Sequence, residues 1–404
     1  MPVRDSFKSV SAKKDNVNWN NMISRKQELY TRDNDIRSDF ERDYTRILHC
    51  NAYRRLKHKT QVFFSPKSDH VCTRIEHVNY VESISSTIAG YLGLNTQLAR
   101  AIAIAHDIGH SPFGHKGEKV LNEISKRDIG ESFWHEKNGV HFVDDIELLE
   151  DDKGELRNLN LTYAVRDGII SHCGEIDENS IKPRAEFIDL ADYKYPNQYN
   201  PYTWEGCVVK VADKISYIGR DLEDAIHLNL LGKNEIAELK NILNISDEKA
   251  LNNPNLINEF IIDLCNNSSV EEGICFSKEK LYLIDKIKKF NYENIYAHPR
   301  LDASNEYFSV IINRIYNTLK NCYKSDSLYV ELSKIEKFYP DTIGTFKEWL
   351  CKYSNLVDRL ESNYKNKVIY DLKNSTDYYR AIVDFIAGMT DNYAIDVYNE
   401  ILKF

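Results

Sequence analysis

Residues 96–109 read TQLARAIAIAHDIG, and from Ala101 to Ala105 every side chain is apolar. Asn95 and Thr96 open this stretch as a helix N-cap would, and Gly109 stands in a C-cap-like position. A helix without a polar face is buried on all sides, so the stretch predicts a buried helix. At its end stand His106 and Asp107. Burying such groups costs free energy unless something pairs with them, and imidazole nitrogen with carboxylate oxygen suits a divalent ion.

Working outward, Thr73-Arg74-Ile75-Glu76 has the capping-box pattern of a helix start. Val78, Val81, Ile84, Ile88 and Leu92 then form one apolar stripe at helical spacing, and His77 and Arg74 point into it. A core histidine satisfied by its neighbours gives the same pattern, so His77 alone decides nothing. Residues 205–226, EGCVVKVADKISYIGRDLEDAI, predict a third helix. Val208, Val211, Ala212, Ile215, Ile218 and Leu222 pack one side; Asp213, Tyr217, Arg220 and Asp224 line another within about 60°. A solvated face is the plain alternative, yet a metal-bound phosphate ester requires that same carboxylate, tyrosine and cation in line.

The remaining composition narrows the class. Apolar residues are 42% of the 404, and no run approaches the roughly 18 that a membrane helix needs. The polar N-terminus shows no apolar secretory segment. Eight cysteines without a C-x-x-C pair fit a reducing cytoplasm better than a zinc or redox site. A net charge of −9 argues against a nucleic-acid coat while leaving an anionic small substrate open. One cationic cluster, Arg54, Arg55, Lys57 and Lys59, could grip phosphate or be a solvated face. Residues 174–201 predict an irregular insert, and 252–277 a looser stretch. Ile382, Phe385, Ile386, Met389, Tyr393, Val397 and Ile401 recur as on a packed helix. The expected architecture is all-α, with a core over 1–230, including an N-terminal helical segment, and a helical C-terminal region over 231–404 that completes the active site. The boundary is soft, and one compact domain is the alternative.

In chain order, His77, His106-Asp107 and Asp213 give the signature H…HD…D, which resembles the HD superfamily. RDYTRILHCNAYRRLKHKTQVF, TRIEH, HDIGHSPFGHKGE, DGIISHCGE, TWEGCVVKVADKISYIGRDLEDA and DFIAGMTDNYA bring the resemblance closer, to the deoxyguanosinetriphosphate triphosphohydrolase family. The resemblance implies an HD-domain helical core and hydrolysis of deoxynucleoside triphosphates to deoxynucleoside and tripolyphosphate. It makes His77, His106, Asp107 and Asp213 ligands of one divalent ion, Mn2+, Mg2+ or Fe2+. His115 and Glu118 match the catalytic dyad, and His110 and His135 match further active-site histidines of a vertebrate relative. Gln61 and Asp221 match groups that hold the sugar 3′-hydroxyl, and Tyr217 the one that stacks on the ribose. Lys214 stands where that relative binds phosphate and where many bacterial members have Asp. Arg220 replaces a common bacterial His-Asp pair, and Asn392 replaces a frequent Arg, which leaves Arg380 as a substitute contact; Arg54 is a further phosphate candidate. The resemblance also implies homo-oligomers, often hexamers, with dNTPs as allosteric regulators. It extends to single-stranded DNA, for which the sequence offers no support.

The chemistry is consistent with that reading. Phosphoryl transfer demands positioning and electrostatic stabilisation, and no G-x-x-x-x-G-K-[ST] offers a P-loop route. Ser111-Pro112 reads as a helix start, placing His115 and Glu118 three apart on one helix face. From spacing alone a packing histidine and a surface glutamate explain that pair equally well. Two other functions compete: another HD phosphohydrolase, such as a phosphodiesterase or nucleotidase, and a non-catalytic dNTP sensor.

Overall fold

The computed structural model describes residues 5–28, 35–64, 70–173, 179–246, 253–324, 327–356, 359 and 363–403. Helices dominate, as an all-α reading requires. Among the described residues the one sheet is a two-stranded antiparallel ladder, Leu148–Glu150 against Leu156–Asn158. The chain forms two compact, interleaved units: Met1–Ile47, Gln61–His106 and Leu161–Asp302 in the first, Leu48–Thr60, Asp107–Asn160 and Ala303–Phe404 in the second. The expected change near residue 230 therefore falls inside the first unit.

In the first unit the apolar helix Thr96–Ala105 is packed by Arg74–Leu92, Tyr163–Ser171 and Trp204–His227. Leu98, Ala101, Ile102, Ala103 and Ala105 are fully buried. Asn95 caps this helix, its side chain accepting from the N–H groups of Gln97 and Leu98. The capping box upstream is present, with Glu76 accepting from the Thr73 N–H at 2.8 Å. The helix does not run to Gly109; it stops at Ala105. Gly109 serves close approach instead, since a Cβ there would strike the His135 carbonyl and the Gly139 backbone of the second unit. Residues 179–201 are irregular apart from one turn, Leu190–Asp192, as their composition predicts. The looser stretch near 252–277 is corrected: Asn253–Asn267 is a helix, and only 268–276 is irregular; residues 174–178 and 252 lie outside the described residues.

The second unit packs Gly114–Asp128, Pro340–Tyr353, Ser375–Ala387 and Asp391–Leu402 about Val120, Leu121, Phe346, Ile382 and Val397. The C-terminal stripe belongs to two helices, broken at Gly388–Thr390, where the Thr390 side chain caps the second. Ser111-Pro112 lies ahead of its helix, which begins at Gly114 after Phe113 takes a left-handed conformation (φ 63°). Phe113 is held there by its N–H bond to Asp391 at 2.8 Å and by stacking on Phe308 at 4.3 Å.

Buried carboxylates tie distant segments together. In the first unit a single oxygen of Glu205, Oε1, accepts from the N–H groups of Ala12 (2.9 Å) and Asn95 (2.8 Å) and the Ser11 hydroxyl (3.2 Å). Its other oxygen is buried with no hydrogen-bond partner among the described residues, and burial raises the pKa. Glu205→Ala should cost about 2–4 kcal/mol, because stranding several buried donors is expensive. Glu205→Gln, which keeps one accepting oxygen and removes the charge, should cost less than about 1 kcal/mol. Urea unfolding of the two variants checks this; equal losses would overturn the one-oxygen account.

In the second unit His141 bridges Asp145 (3.0 Å) and Asp384 (2.9 Å), and the Tyr370 hydroxyl donates to Asp384 at 2.6 Å. Burial lowers the His141 pKa, but Asp384 and Asp145 outweigh it and raise the value from 6.5 to about 10. A raised histidine pKa contributes stability that is complete below the unfolded value and lost as pH rises through the folded one. Wild type should therefore lose stability between about pH 7 and 10, on the order of 1–2 kcal/mol given the partly exposed ring. His141→Gln should show a flatter profile over that interval in denaturant titrations; parallel profiles would refute the bridge.

Candidate metal centre and active-site groups

The first unit gathers His77, His106 and Asp213, contributed by three helices. His77 Nε2 lies 2.9 Å from Asp213 Oδ1, His106 Nε2 lies 3.8 Å from it, and the two rings sit 5.4 Å apart. Both imidazoles are almost fully buried. His106 Nδ1 meets the Ala103 carbonyl at 2.6 Å. A carbonyl only accepts, so Nδ1 carries the proton and the lone pair of a neutral ring sits on Nε2, toward the carboxylate. His77 Nδ1 meets the Ser216 hydroxyl at 3.4 Å. Burial raises the Asp213 pKa, while the His77 bond and the charges of His77, His106 and His172 lower it, and the net shift is down. An ionised carboxylate facing two oriented imidazoles is a donor set that fits a divalent ion.

Along Trp204–His227, Asp213, Tyr217 and Asp221 follow at successive turns on one face. Asp221 is buried, which pushes its pKa up to about 7 even though the Tyr296 hydroxyl donates to it. Tyr296 closes a π-turn, Tyr292–Tyr296. Gln61, also in this unit, has its Oε1 buried with no hydrogen-bond partner among the described residues. Lys214 is buried, whereas Arg220 packs on the Tyr80 ring and pairs with Glu223.

The second unit collects the other expected groups. His110 Nε2 lies 3.0 Å from Asp107, and its ring stacks on His135 at 3.8 Å. His115 is largely exposed, 5.5 Å from His110 and 5.9 Å from His135 between ring centres. Glu118 stands 3.8 Å from His115 Nδ1 and 3.0 Å from His135 Nδ1, so here its nearer partner is His135. Burial lowers the His135 pKa; Glu136, Glu118 and Asp107 more than offset this and raise it to about 10. The cationic cluster divides. Arg55 bonds Glu147 at 2.7 Å and Lys59 is buried on the carbonyls of His110 and Ala387, while Arg54 and Lys57 are exposed. Arg380 pairs with Glu131 (2.8 Å) and Asp377 (3.1 Å).

Sequence reasoning assigned no role to His172 or Tyr296. His172 carried a signal, because it continues the Val165–Ile169 face at helical spacing; Tyr296 carried none.

Residues 74–218 match the HD domain and residues 347–400 the phosphohydrolase-associated domain. HD domains bind divalent metals, and the donor set of the first unit accords with that. A deoxyguanosinetriphosphate triphosphohydrolase-like protein of Rickettsia bellii is 34% identical over 379 residues, covering 90% of this chain and 92% of the relative. The proteins of that name from Rickettsia felis and Caldanaerobacter subterraneus subsp. tengcongensis are 35% identical over 385 residues and 33% over 367. They cover 90% and 91% of this chain, and 92% and 86% of their own lengths. The chain belongs to the deoxyguanosinetriphosphate triphosphohydrolase-like family of HD phosphohydrolases. No helix among the described residues is long and apolar enough to cross a membrane.

Asp213→Ala should weaken divalent-ion binding by about 10²-fold or more, because it removes the only charge among the three donors. Equilibrium dialysis with manganese checks it, and an unchanged affinity would displace Asp213 from the site.

Proposed function

We propose that this protein is a metal-dependent triphosphohydrolase of deoxynucleoside triphosphates, dGTP or dNTPs more broadly, releasing the deoxynucleoside and intact tripolyphosphate. The observation that carries the reading is the line Asp213, Tyr217, Asp221 on one helix face, which begins at the His77–His106–Asp213 cluster. The likeness to deoxyguanosinetriphosphate triphosphohydrolase-like proteins supports it. The ion-binding set is His77, His106, Asp213 and Asp107, the residue that follows His106 in the chain. When bound, a divalent ion (manganese, magnesium or iron) polarises a phosphoryl oxygen and lowers the pKa of water.

The chain's own residues do the rest. Tyr217 offers a ring face to the sugar, Asp221 accepts from the 3′-hydroxyl, and Gln61 supplies its buried oxygen to the same hydroxyl. Asp221 already accepts from Tyr296, which fixes the carboxyl orientation before substrate arrives. Lys214 and protonated His135 offset phosphate charge. His115 handles the proton of the attacking water or of the leaving 5′-oxygen, with Glu118 and His110 orienting the histidine set. Such general acid–base help is worth roughly 10²–10⁴ in rate.

Incubated with dGTP and manganese, the protein should release deoxyguanosine and tripolyphosphate, resolved by anion-exchange chromatography. With ¹⁸O-water the label should enter tripolyphosphate. Orthophosphate or pyrophosphate as product would assign the chain to another HD phosphohydrolase chemistry. His115→Ala should lower kcat by about 10²–10⁴ with metal affinity unchanged.

A further inference from the structure

We propose that Asp391, within the phosphohydrolase-associated domain, is a positioning residue for the histidines of the second unit. Its carboxylate holds the turn at Phe113 from which the His115–Glu118 helix departs, so it acts on turnover through the backbone and not through substrate. This rests on the role proposed above for His115.

Phe113 is the strained point of that turn. Its φ of 63° and ψ of 26° lie in the left-handed region, which a bulky side chain rarely enters. A residue other than glycine stays there only where its surroundings over-determine it, and such residues gather at functional sites. Two residues further on, in the first turn of Gly114–Asp128, stands His115, and Glu118 follows on the same face. The conformation at Phe113 therefore sets the direction in which this helix leaves the turn and where the His115 ring is carried.

Two groups hold Phe113. Its ring stacks on Phe308 at 4.3 Å, and its N–H donates to Asp391 Oδ1 at 2.8 Å. The other carboxylate oxygen, Oδ2, accepts from the Thr60 N–H at 2.9 Å, so one buried side chain ties two backbone segments. The helix Asp391–Leu402 does not need this carboxylate as a cap, because the Thr390 hydroxyl accepts from the Tyr393 N–H at 3.2 Å. The rest of the turn is pinned as well. Asn138 Nδ2 donates to the Gly109 carbonyl at 2.7 Å, and Lys59 donates to the His110 carbonyl. Gly117 lets the turn fold back on its own helix, since a Cβ there would meet the Pro112 carbonyl at 1.9 Å. Asn138 belongs to His135–His141, so the segments bearing His135 and His115 are registered against one turn. Asparagine cannot do the work of Asp391: its single oxygen serves one N–H, and its amide nitrogen faces the other donor.

The test separates positioning from stability. In the full chain with manganese and dGTP, Asp391→Asn should lower kcat about 10²-fold, the cost of a misplacement near 1 Å, with KM changed less than about threefold. In NMR spectra of the ¹⁵N-histidine-labelled protein, the His110 and His115 signals should shift while those of His77 and His106 stay in place. A tie that only stabilises the fold moves neither the kcat of folded protein nor those signals. Glycine takes the left-handed conformation without steric cost, so combined with Phe113→Gly the Asp391→Asn change should cost at least about fivefold less in kcat than it does alone. Where circular dichroism shows that Asp391→Asn does not fold, Phe308→Leu, which removes only the stacking hold on Phe113, should shift the same two signals. Unmoved His110 and His115 signals, a kcat within about twofold of wild type in a folded Asp391→Asn, or an equal loss with and without Phe113→Gly would overturn the proposal. Absence of dGTP turnover in wild type would instead overturn the activity proposed above, and the histidine signals would still decide whether Asp391 places these rings.

Discussion

Asp213 is a carboxylate packed among apolar helices with 15% of its side chain exposed, and its bond to His77 and the charges beside it hold its pKa down against burial. A charge cut off from water is tolerated only where opposing charge or oriented dipoles replace the lost solvation. Here the replacement is a pair of imidazoles whose directions are fixed from behind, His106 by the Ala103 carbonyl and His77 by Ser216. The alanines of Thr96–Ala105 are part of the same solution. Small side chains let the surrounding helices come close enough for rings on different helices to face one carboxylate. The apolar helix Thr96–Ala105 thus helps to mount the His77–His106–Asp213 cluster.

In the second unit the same economy is achieved by a clasp. Lys59 reaches the carbonyls of His110 and Ala387, and Asp391 accepts from the N–H groups of Thr60 and Phe113. Three segments far apart in sequence, around residues 59–60, 110–113 and 387–391, are joined by these few bonds. A lysine on two carbonyls satisfies buried acceptors that no helix or strand supplies. The clasp sets the backbone from which His110 and His115 project, and the left-handed Phe113 is its most constrained point. KTQV, HSPFG and GMTD are therefore joints of the framework.

What could be read in advance follows from which signals are local. Helical periodicity put His77 and Arg74 in a buried stripe, where the structure has them, because burial stripes are written in consecutive turns. The start at Gly114 was missed: the Ser111-Pro112 signal is overruled by a tertiary bond, Asp391 to the Phe113 N–H, that lies 278 residues away in sequence. The role of Gly109 was misread for a similar reason, since a glycine after a helix suggests a cap and only the opposing Gly139 backbone reveals close approach. Interleaving of the two units was invisible, because the chain changes unit between His106 and Asp107, inside a motif that reads as continuous. Tyr296 was beyond reach, since its contact with Asp221 depends on a π-turn for which Tyr292–Tyr296 carries no local mark.

Charge was the least legible property, and for a physical reason. A count of cations says nothing about how many are already committed to the protein's own anions. Of the four in RRLKHK, Arg55 is committed to Glu147 and Lys59 to backbone carbonyls, and Arg380 divides itself between Glu131 and Asp377. Histidine, formally neutral in the net charge of −9, moves the other way: Glu136 and Glu118 hold the His135 pKa near 10, so it is a cation at neutral pH. Positive charge thus sits on a stacked imidazole beside His110, where the Lys/Arg content of the chain shows none.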